Sequence, residues 1–336
     1  MITLKNGLTI KATEDHRFMT DSGWKQVKDI NILKDSIVVN KVYNIPAINE
    51  NDERYEMFGW MHGDGWFNTT VGISFNYGDG DKDIKERLLP IFRNEFNCGD
   101  NRPLKDDNVS YQMQMCSSFA LNHAKELGFV PARACDKELP TTFYSWTMSQ
   151  QISFIRGLMS ADGFITGCTN SQVALCSTSY KLIEQVHQFL YSLGIQGRLY
   201  TTHFADHLKR KDQHKLIMAG KSARNYFRII GFSGKKKNDK FVPGKVDMKK
   251  GSFKVVSIEP AGEEEVFDIV NVSNTNAFYA NGMAVHNCNL MSVNLYNVVD
   301  HPFTKDAHVD YRKLKAFVGA AVVSLNNILD YGYENQ

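Results

Sequence analysis

Apolar and polar residues alternate in short bursts through the first fifty positions. Ile2-Thr3-Leu4 and Leu8-Thr9-Ile10 flank Lys5-Asn6-Gly7, which predicts a β-hairpin with Asn-Gly in its turn. Phe18-Met19 and Trp24-Lys25-Gln26-Val27 carry the strand pattern on towards Val39. The spacing then changes. Between 51 and 245 apolar residues recur at helical intervals, most clearly from Lys181 to Leu193, where Leu182, Ile183, Val186, Phe189 and Leu190 share a face. Strand character returns at 253–258 and from Val266 to Val272, and Asn281-Gly282 predicts a second hairpin. A last helix is predicted from Asp310, with Leu314, Phe317, Val318, Ala321, Leu325, Ile328 and Leu329 on one side.

Within the helical region the pattern repeats. Phe58-Gly59-Trp60-Met61-His62-Gly63-Asp64-Gly65 recurs as Ile155-Arg156-Gly157-Leu158-Met159-Ser160-Ala161-Asp162-Gly163, so Asp64 and Asp162 stand 98 residues apart. Glu126-Leu127-Gly128-Phe129 recurs as Ile229-Ile230-Gly231-Phe232, and Gly128 and Gly231 stand 103 apart. Two copies of about a hundred residues follow, each a helix, a hairpin and further helices. Gly59 and Gly63 are four apart, as are Gly157 and Ala161. Small residues at that spacing share a helix face and let two backbones approach. Asp64 and Asp162 fall at the helix ends, with Gly65 and Gly163 behind them as natural terminators. An acid at a helix C-terminus opposes the dipole by roughly 0.3–1 kcal/mol, and two such acids brought together repel. A divalent cation between them would relieve both costs. Either copy taken alone reads more simply as part of a buried helix pair with acidic ends.

Composition is that of an ordinary globular chain, 43% hydrophobic and 23% charged over 336 residues, long enough for several domains. A net charge of +2 gives no chain-wide attraction to nucleic acid, so a DNA surface must be local. Residues 206–250 supply one candidate: 14 Lys and Arg against 4 Asp, densest at Lys209-Arg210-Lys211 and Lys235-Lys236-Lys237. The six cysteines (98, 116, 135, 168, 176 and 288) lack the close pairing of a zinc site or a disulfide framework. No apolar run approaches the ~20 residues of a membrane span, and the N-terminus lacks the build of a signal peptide. A cytoplasmic protein in a reducing compartment, with no membrane partner, is the expectation.

Candidate chemistry concentrates at His286-Asn287-Cys288. An Asn side-chain amide can attack its own carbonyl, close a succinimide and release the following chain. Cys288 would then lead that chain with a nucleophilic thiol, and His286 could protonate the leaving amine. Upstream, Thr13-Glu14-Asp15-His16 reads by itself as a turn. Together, Val266-Phe267-Asp268-Ile269-Val270, Phe278 to Cys288 and the Thr-x-x-His group resemble the motifs of inteins, the self-excising elements of protein splicing. The resemblance implies an all-β splicing (Hint-type) domain. It implies that His16 polarises the upstream scissile amide, that Thr13 orients it, and that Asp268 is the acid of its block. Two positions depart from the intein pattern: Lys34 replaces the usual Gly before Asp35, and Asn276 stands where a His is common.

The paired Gly/Asp motif resembles the LAGLIDADG homing endonucleases. That implies site-specific cleavage of double-stranded DNA, Asp64 and Asp162 as catalytic and Mg²⁺-holding residues, and a basic residue near the scissile phosphate, for which Lys221 is the candidate. Beside such a motif, Lys209, Arg210, Lys211, Lys235, Lys236 and Lys237 are best read as phosphate contacts. Finally, Cys288-Asn289-Leu290-Met291-Ser292-Val293-Asn294-Leu295 resembles the ribonucleotide reductase large subunit, so residues 288–336 read as host sequence. The whole is expected to be α+β: an all-β splicing domain in two segments, 1–50 and 246–287, interrupted by a two-repeat nuclease, 51–245. The first intein motif, which carries the initial nucleophile, is missing before Met1. The expected partners are therefore an N-terminal intein segment with its upstream host, supplied by a split gene or lost by truncation, and the intein-free reductase gene as DNA target. The alternatives are a DNA endonuclease with a vestigial splicing fold, or a fragment acting as reductase.

Overall fold

The structure, a computed structural model, describes residues 1–40, 51–70, 72–98, 105–106, 110–204, 211–244, 251–266, 269, 277–286 and 298–320. Strands β1 (Ile2–Leu4) and β2 (Thr9–Ile10) form the first hairpin. Gly7 at φ +88° and a 2.9 Å bond from the Leu4 N–H to Leu8 O close its turn. β3 (Arg17–Thr20), β4 (Gly23–Gln26) and β5 (Ser36–Val38) follow.

The mixed region then runs through two copies of one element order. The first is α1 (Glu53–Asp64), β6 (Phe67–Asn68), β7 (Gly72–Gly78), α2 (Lys82–Glu95), β8 (Lys105–Asp106), β9 (Ser110–Met115) and α3 (Ser118–Glu126). The second is α4 (Met148–Asp162), β10 (Gly163–Thr166), β11 (Gln172–Ser177), α5 (Tyr180–Ser192), β12 (Arg198–Thr202), β13 (Gln213–Met218) and α6 (Lys221–Ile229), with a short α7 (Lys235–Asn238). Each copy makes a four-stranded antiparallel sheet, β6-β7-β9-β8 and β10-β11-β13-β12. Gly128 and Gly231, at φ +85° and +69°, stop α3 and α6 in the left-handed conformation. One apolar core, including Phe58, Phe75, Phe92, Phe154, Leu158 and Leu190, joins the copies.

Strands β14 (Ser252–Ile258), β15 (Ala277–Ala280) and β16 (Met283–His286) return the chain to the first sheet. That sheet has eight antiparallel strands in the order β15-β16-β3-β5-β14-β1-β2, with β4 against β3. β14 lies between β5 and β1: Phe253 faces Ile37 and Ser257 faces Thr3. Its alternation puts Phe253 and Val255 inward and Lys254 outward, which fixes the register. β15 and β16 are joined by Asn281 (φ +47°) and Gly282 (φ +78°), a two-residue turn of the primed type. A separate core of Ile2, Leu4, Leu8, Phe18, Ile37, Val255, Met283 and Val285 backs this sheet. The strand expected from Val266 falls mainly outside the described residues. Residues 311–320 are helical, and the Asp310 carboxylate accepts from the Arg312 and Lys313 N–H groups at 2.9 and 3.1 Å, as an N-cap should.

Candidate functional site

Helices α1 and α4 meet at their glycines. A methyl group on Gly59 would lie 1.9 Å from Phe154 O, and one on Gly157 would lie 2.0 Å from Glu56 O. The backbones are therefore in direct contact, and the C-terminal ends of both helices converge. A methyl group on Gly63 would come within 2.5 Å of Ala161 Cβ and 3.4 Å of Asp162 Oδ2. Gly65 and Gly163 are extended, at φ −93° and −82°, not left-handed. Glycine is required there by close approach: an added Cβ would meet Ser74 O at 2.3 Å and Met159 O at 2.3 Å respectively. This corrects the sequence-based account of those two terminators.

Asp64 is open to solvent and Asp162 half-buried, both crowded by surrounding protein. Partial desolvation and, second, the Asp162 charge push the Asp64 carboxyl up to about 6. Desolvation also raises Asp162, against the attraction of Lys137 and Lys237. These two lysines occupy matching places. Lys137 Nζ donates to the carbonyls of His62, Gly63 and Gly65 at 2.5, 3.1 and 3.1 Å, capping the end of α1. Lys237 Nζ donates to Ser160 O, to Ala161 O at 3.3 Å and to Gly163 O at 2.7 Å, capping α4. The acceptors correspond residue for residue between copies. Burial pulls both ammonium groups below the usual lysine range, while the two aspartates hold them up. The ammonium groups supply the positive charge that the helix C-termini lack.

His62 lies between Phe129 and Phe154, with ring centroids 5.8 and 5.7 Å away. Burial, reinforced by Lys137, drops its pKa to about 3, so it stays neutral. Beyond Lys237 opens a cavity of about 260 Å³, lined in part by Trp60, Asp81, Ser160, Lys236 and Lys240. Two carboxylates and two ammonium groups at one convergent point can bind a phosphate and a hard cation together. The donor set suits Mg²⁺, which takes oxygen ligands and keeps several waters. Among the described residues no group of three or more His, Cys, Asp or Glu side chains is arranged to hold a metal ion. The carboxylate pair is thus the oxygen donor set on offer.

Lys221, the expected phosphate-assisting lysine, opens α6, and the lysine charges acting on Asp64 and Asp162 are those of Lys137 and Lys237. Lys137 had no role in the sequence reading. The repeat contained its signal, since Lys137 and Lys237 are 100 residues apart, close to the aspartate spacing. Lys235 and Lys236 are exposed on α7, and Lys211 Nζ donates to Cys135 Sγ. Lys209 and Arg210 lie outside the described residues.

A second cluster forms on the eight-stranded sheet. His286 ends β16 opposite Arg17 of β3, the residue that follows His16 in the chain. The Trp24 ring meets the His286 ring edge-on at 5.0 Å, and His16 meets Phe18 similarly at 5.5 Å. The His16 N–H donates to Thr13 O at 3.2 Å, and His16 O accepts from the Val27 N–H at 3.0 Å, so the Thr13–His16 turn is held by backbone bonds. Lys25 pairs with Asp35 at 2.8 Å, and this bond, with the Asn31 N–H, holds the Asp35 carboxyl below the usual range. Asn287, Cys288 and Asp268 lie outside the described residues. The sequence reading gave Trp24 no partner; its contact with His286 crosses the sheet and leaves no local signal.

Known proteins resemble this chain at low identity. The replicative DNA helicase DnaB of Synechocystis sp. is 25% identical over 234 residues, 66% of this chain and 26% of the helicase. The DNA polymerase of Thermococcus hydrothermalis is 24% identical over 310 residues, 83% of this chain and 17% of the polymerase. The chain thus spans about a quarter or less of these relatives' length. Among solved structures, I-DmoI in complex with DNA and Ca is 16% identical with a TM-score of 0.38, covering 53% of this chain and 88% of that one. The I-LtrWI LAGLIDADG homing endonuclease bound to target DNA is 9% identical with a TM-score of 0.35, covering 56% and 86%. A family model for the intein splicing domain matches residues 1–287. The match takes in the whole of the first sheet and both copies of the repeat, and the chain belongs to the intein splicing domain family.

Proposed function

We propose that this chain is an intein which splices a ribonucleotide reductase large subunit and carries a DNA homing endonuclease between its two splicing segments. The observation that carries the nuclease reading is the convergence of Asp64 and Asp162 at the glycine-mediated contact of α1 and α4, flanked by Lys137 and Lys237. The two carboxylates would hold Mg²⁺, which when bound activates water and steadies the leaving oxygen of a phosphodiester. Lys137 and Lys237 would draw in the phosphate and offset the charge that grows on it. The exposed lysines of 206–250 would add contacts whose strength falls with salt. The DNA target is the reductase gene lacking the insertion.

In the splicing reaction, the upstream host is carried as a thioester on the initial nucleophile of the first intein motif, aided by His16 and Thr13. Cys288 Sγ attacks that acyl group. The Asn287 side-chain nitrogen then attacks the Asn287 carbonyl carbon and the bond to Cys288 nitrogen breaks. A succinimide remains on the intein, and the proton for the leaving amine comes by way of His286. The juxtaposition of His286 with the His16 turn supports this reading.

One experiment separates the two activities. Asn287→Ala is expected to abolish release of residues 288–336, seen by mass spectrometry, while leaving Mg²⁺-dependent nicking of the intein-free gene intact. Asp162→Asn should do the reverse. Undiminished release from Asn287→Ala defeats the splicing assignment, and nicking that survives in Asp64→Asn/Asp162→Asn defeats the metal site.

A further inference from the structure

We propose that Tyr191, the penultimate residue of α5, is a positioning residue for the splicing chemistry: a side chain of the inserted repeat that holds the turn before His286. The proposal rests on the splicing function above. The apolar face of α5, including Leu182, Ile183, Val186 and Leu190, packs into the core shared by the two copies. Tyr191 departs from it. Its side chain is fully buried within the other core, that of the eight-stranded sheet.

Its polar atoms are tied to two separate parts of that sheet. Tyr191 OH accepts from Asn6 Nδ2 at 2.6 Å, within the first hairpin. Tyr191 O accepts from Asn40 Nδ2 at 3.1 Å, just after β5. The ring covers Gly282: a methyl group there would lie 2.8, 2.9 and 3.0 Å from Tyr191 Cδ1, Cβ and Cγ. The turn it covers is otherwise held by two bonds, Asn281 Nδ2 to Thr9 O at 3.1 Å and the Asn40 N–H to Gly282 O at 2.8 Å. Thr9 and Asn40, which respectively accept from and donate to that turn, are themselves bound to the insert. Thr9 Oγ1 donates to Glu184 Oε1 at 2.5 Å, and Gln196 Nε2 donates to Asn40 O at 2.8 Å.

From Gly282 the chain enters β16 and reaches His286 without a bend, and the bond to be broken follows one residue later. A strand is stiff along its length. A turn displaced by an ångström displaces the scissile carbonyl by a similar amount, and errors of that size can cost about a hundredfold in rate. An insert tethered only through surface loops would leave a polar, wet junction. Here an aromatic ring from the insert completes the apolar core under the reacting strand. Folding of the second copy is therefore a requirement for splicing geometry as well as for DNA cleavage.

The test compares the full chain with Tyr191→Phe, Tyr191→Leu and Tyr191→Ala. Release of residues 288–336 is timed by mass spectrometry, and amide exchange is followed across β16 and across α1 and α4. Tyr191→Phe keeps the ring over Gly282 and is expected to release within about threefold of wild type. Tyr191→Leu and Tyr191→Ala should slow release at least tenfold and raise exchange in β16, with α1 and α4 unchanged. If Tyr191→Ala fails to fold, the Phe–Leu contrast decides. Wild-type release and wild-type β16 exchange in Tyr191→Leu would overturn the proposal. Should the wild-type chain release nothing, the splicing function itself fails, and exchange alone decides the positioning role: looser β16 in Tyr191→Leu upholds it, unchanged β16 refutes it.

Discussion

Replacing Gly157 by Ala sets two effects of opposite sign against each other. In an isolated helix interior the change would stabilise by about 1 kcal/mol, because Gly is the poorer helix former. In α4 the new methyl group would lie 2.0 Å from Glu56 O and 2.7 Å from Trp60 N. Both are backbone atoms of α1, so no side chain can rotate away. An ordinary carbon–oxygen contact needs more than 3 Å, which forces the helices apart by roughly an ångström. Overpacking of this kind costs typically about 1–3 kcal/mol and more where backbone must move. The partners that lose contact include Phe58 and Leu158, both fully buried. The net expectation is a loss of about 2 kcal/mol or more. With an m-value near 3 kcal/mol per M, that lowers the urea midpoint by about 0.7 M. The reporter is Trp60 fluorescence, since its indole N–H donates to Asn76 O at 2.7 Å within the same unit. DNA nicking should fall further than stability does, because separation at Gly157 also parts Asp64 from Asp162. A Gly157→Ala chain as stable as wild type, or stabilised by the propensity gain, would refute the close backbone contact.

Two further outcomes are expected. Asp64 titrates near 6 against an ordinary 3.8, so between those values the folded chain holds more protons than the unfolded one. Metal-free stability from this group is then present at low pH and lost as pH rises through about 6, whereas Mg²⁺ binding needs the ionised form. Calorimetric Mg²⁺ affinity should be about tenfold weaker at pH 5 than at pH 7, and equal affinities would contradict the environment assigned to Asp64. Lys137→Met and Lys237→Met should each lower nicking by roughly a hundredfold, whereas Lys221→Met should mainly weaken DNA binding; an equal loss of nicking in Lys221→Met would return the phosphate-assisting role to Lys221.

What was legible in the sequence was mostly local or repeated. Asn281-Gly282 announced its turn because both residues tolerate the positive φ that a two-residue hairpin imposes. Asp64 and Asp162 were legible because duplication printed the same pattern twice, and the glycines beside them because a small-residue stripe has few other uses. The lysines were harder. Lys221 was chosen because it stands in the second copy where the first has Ser118 by the same offset, a linear argument. Lys137 reaches the end of α1 from 73 positions downstream, through folding of its whole copy, and nothing near it in sequence reports that. Tyr191 sits on a helix whose apolar stripe was plain, yet its ring serves a different core. Gly65 and Gly163 were identified for the wrong reason, since their constraint is a neighbouring carbonyl and not their own dihedral angle.

The place of β14 in the first sheet has a consequence for timing. Phe253 faces Ile37, so an interior strand is paired with one synthesised 216 residues earlier. Closing that span through a disordered chain would cost about 5 kcal/mol in entropy. At ribosomal rates of about 5–20 residues per second, β14 emerges some 10–40 seconds after β5. The sheet must wait with a gap between β5 and β1 while the two copies of the repeat are made. If those copies fold as they appear, their compact body draws the ends of the span together before β14 arrives. The inserted unit then works as a clasp made during translation, and the reactive strand β16, later still, is added to a sheet already closed.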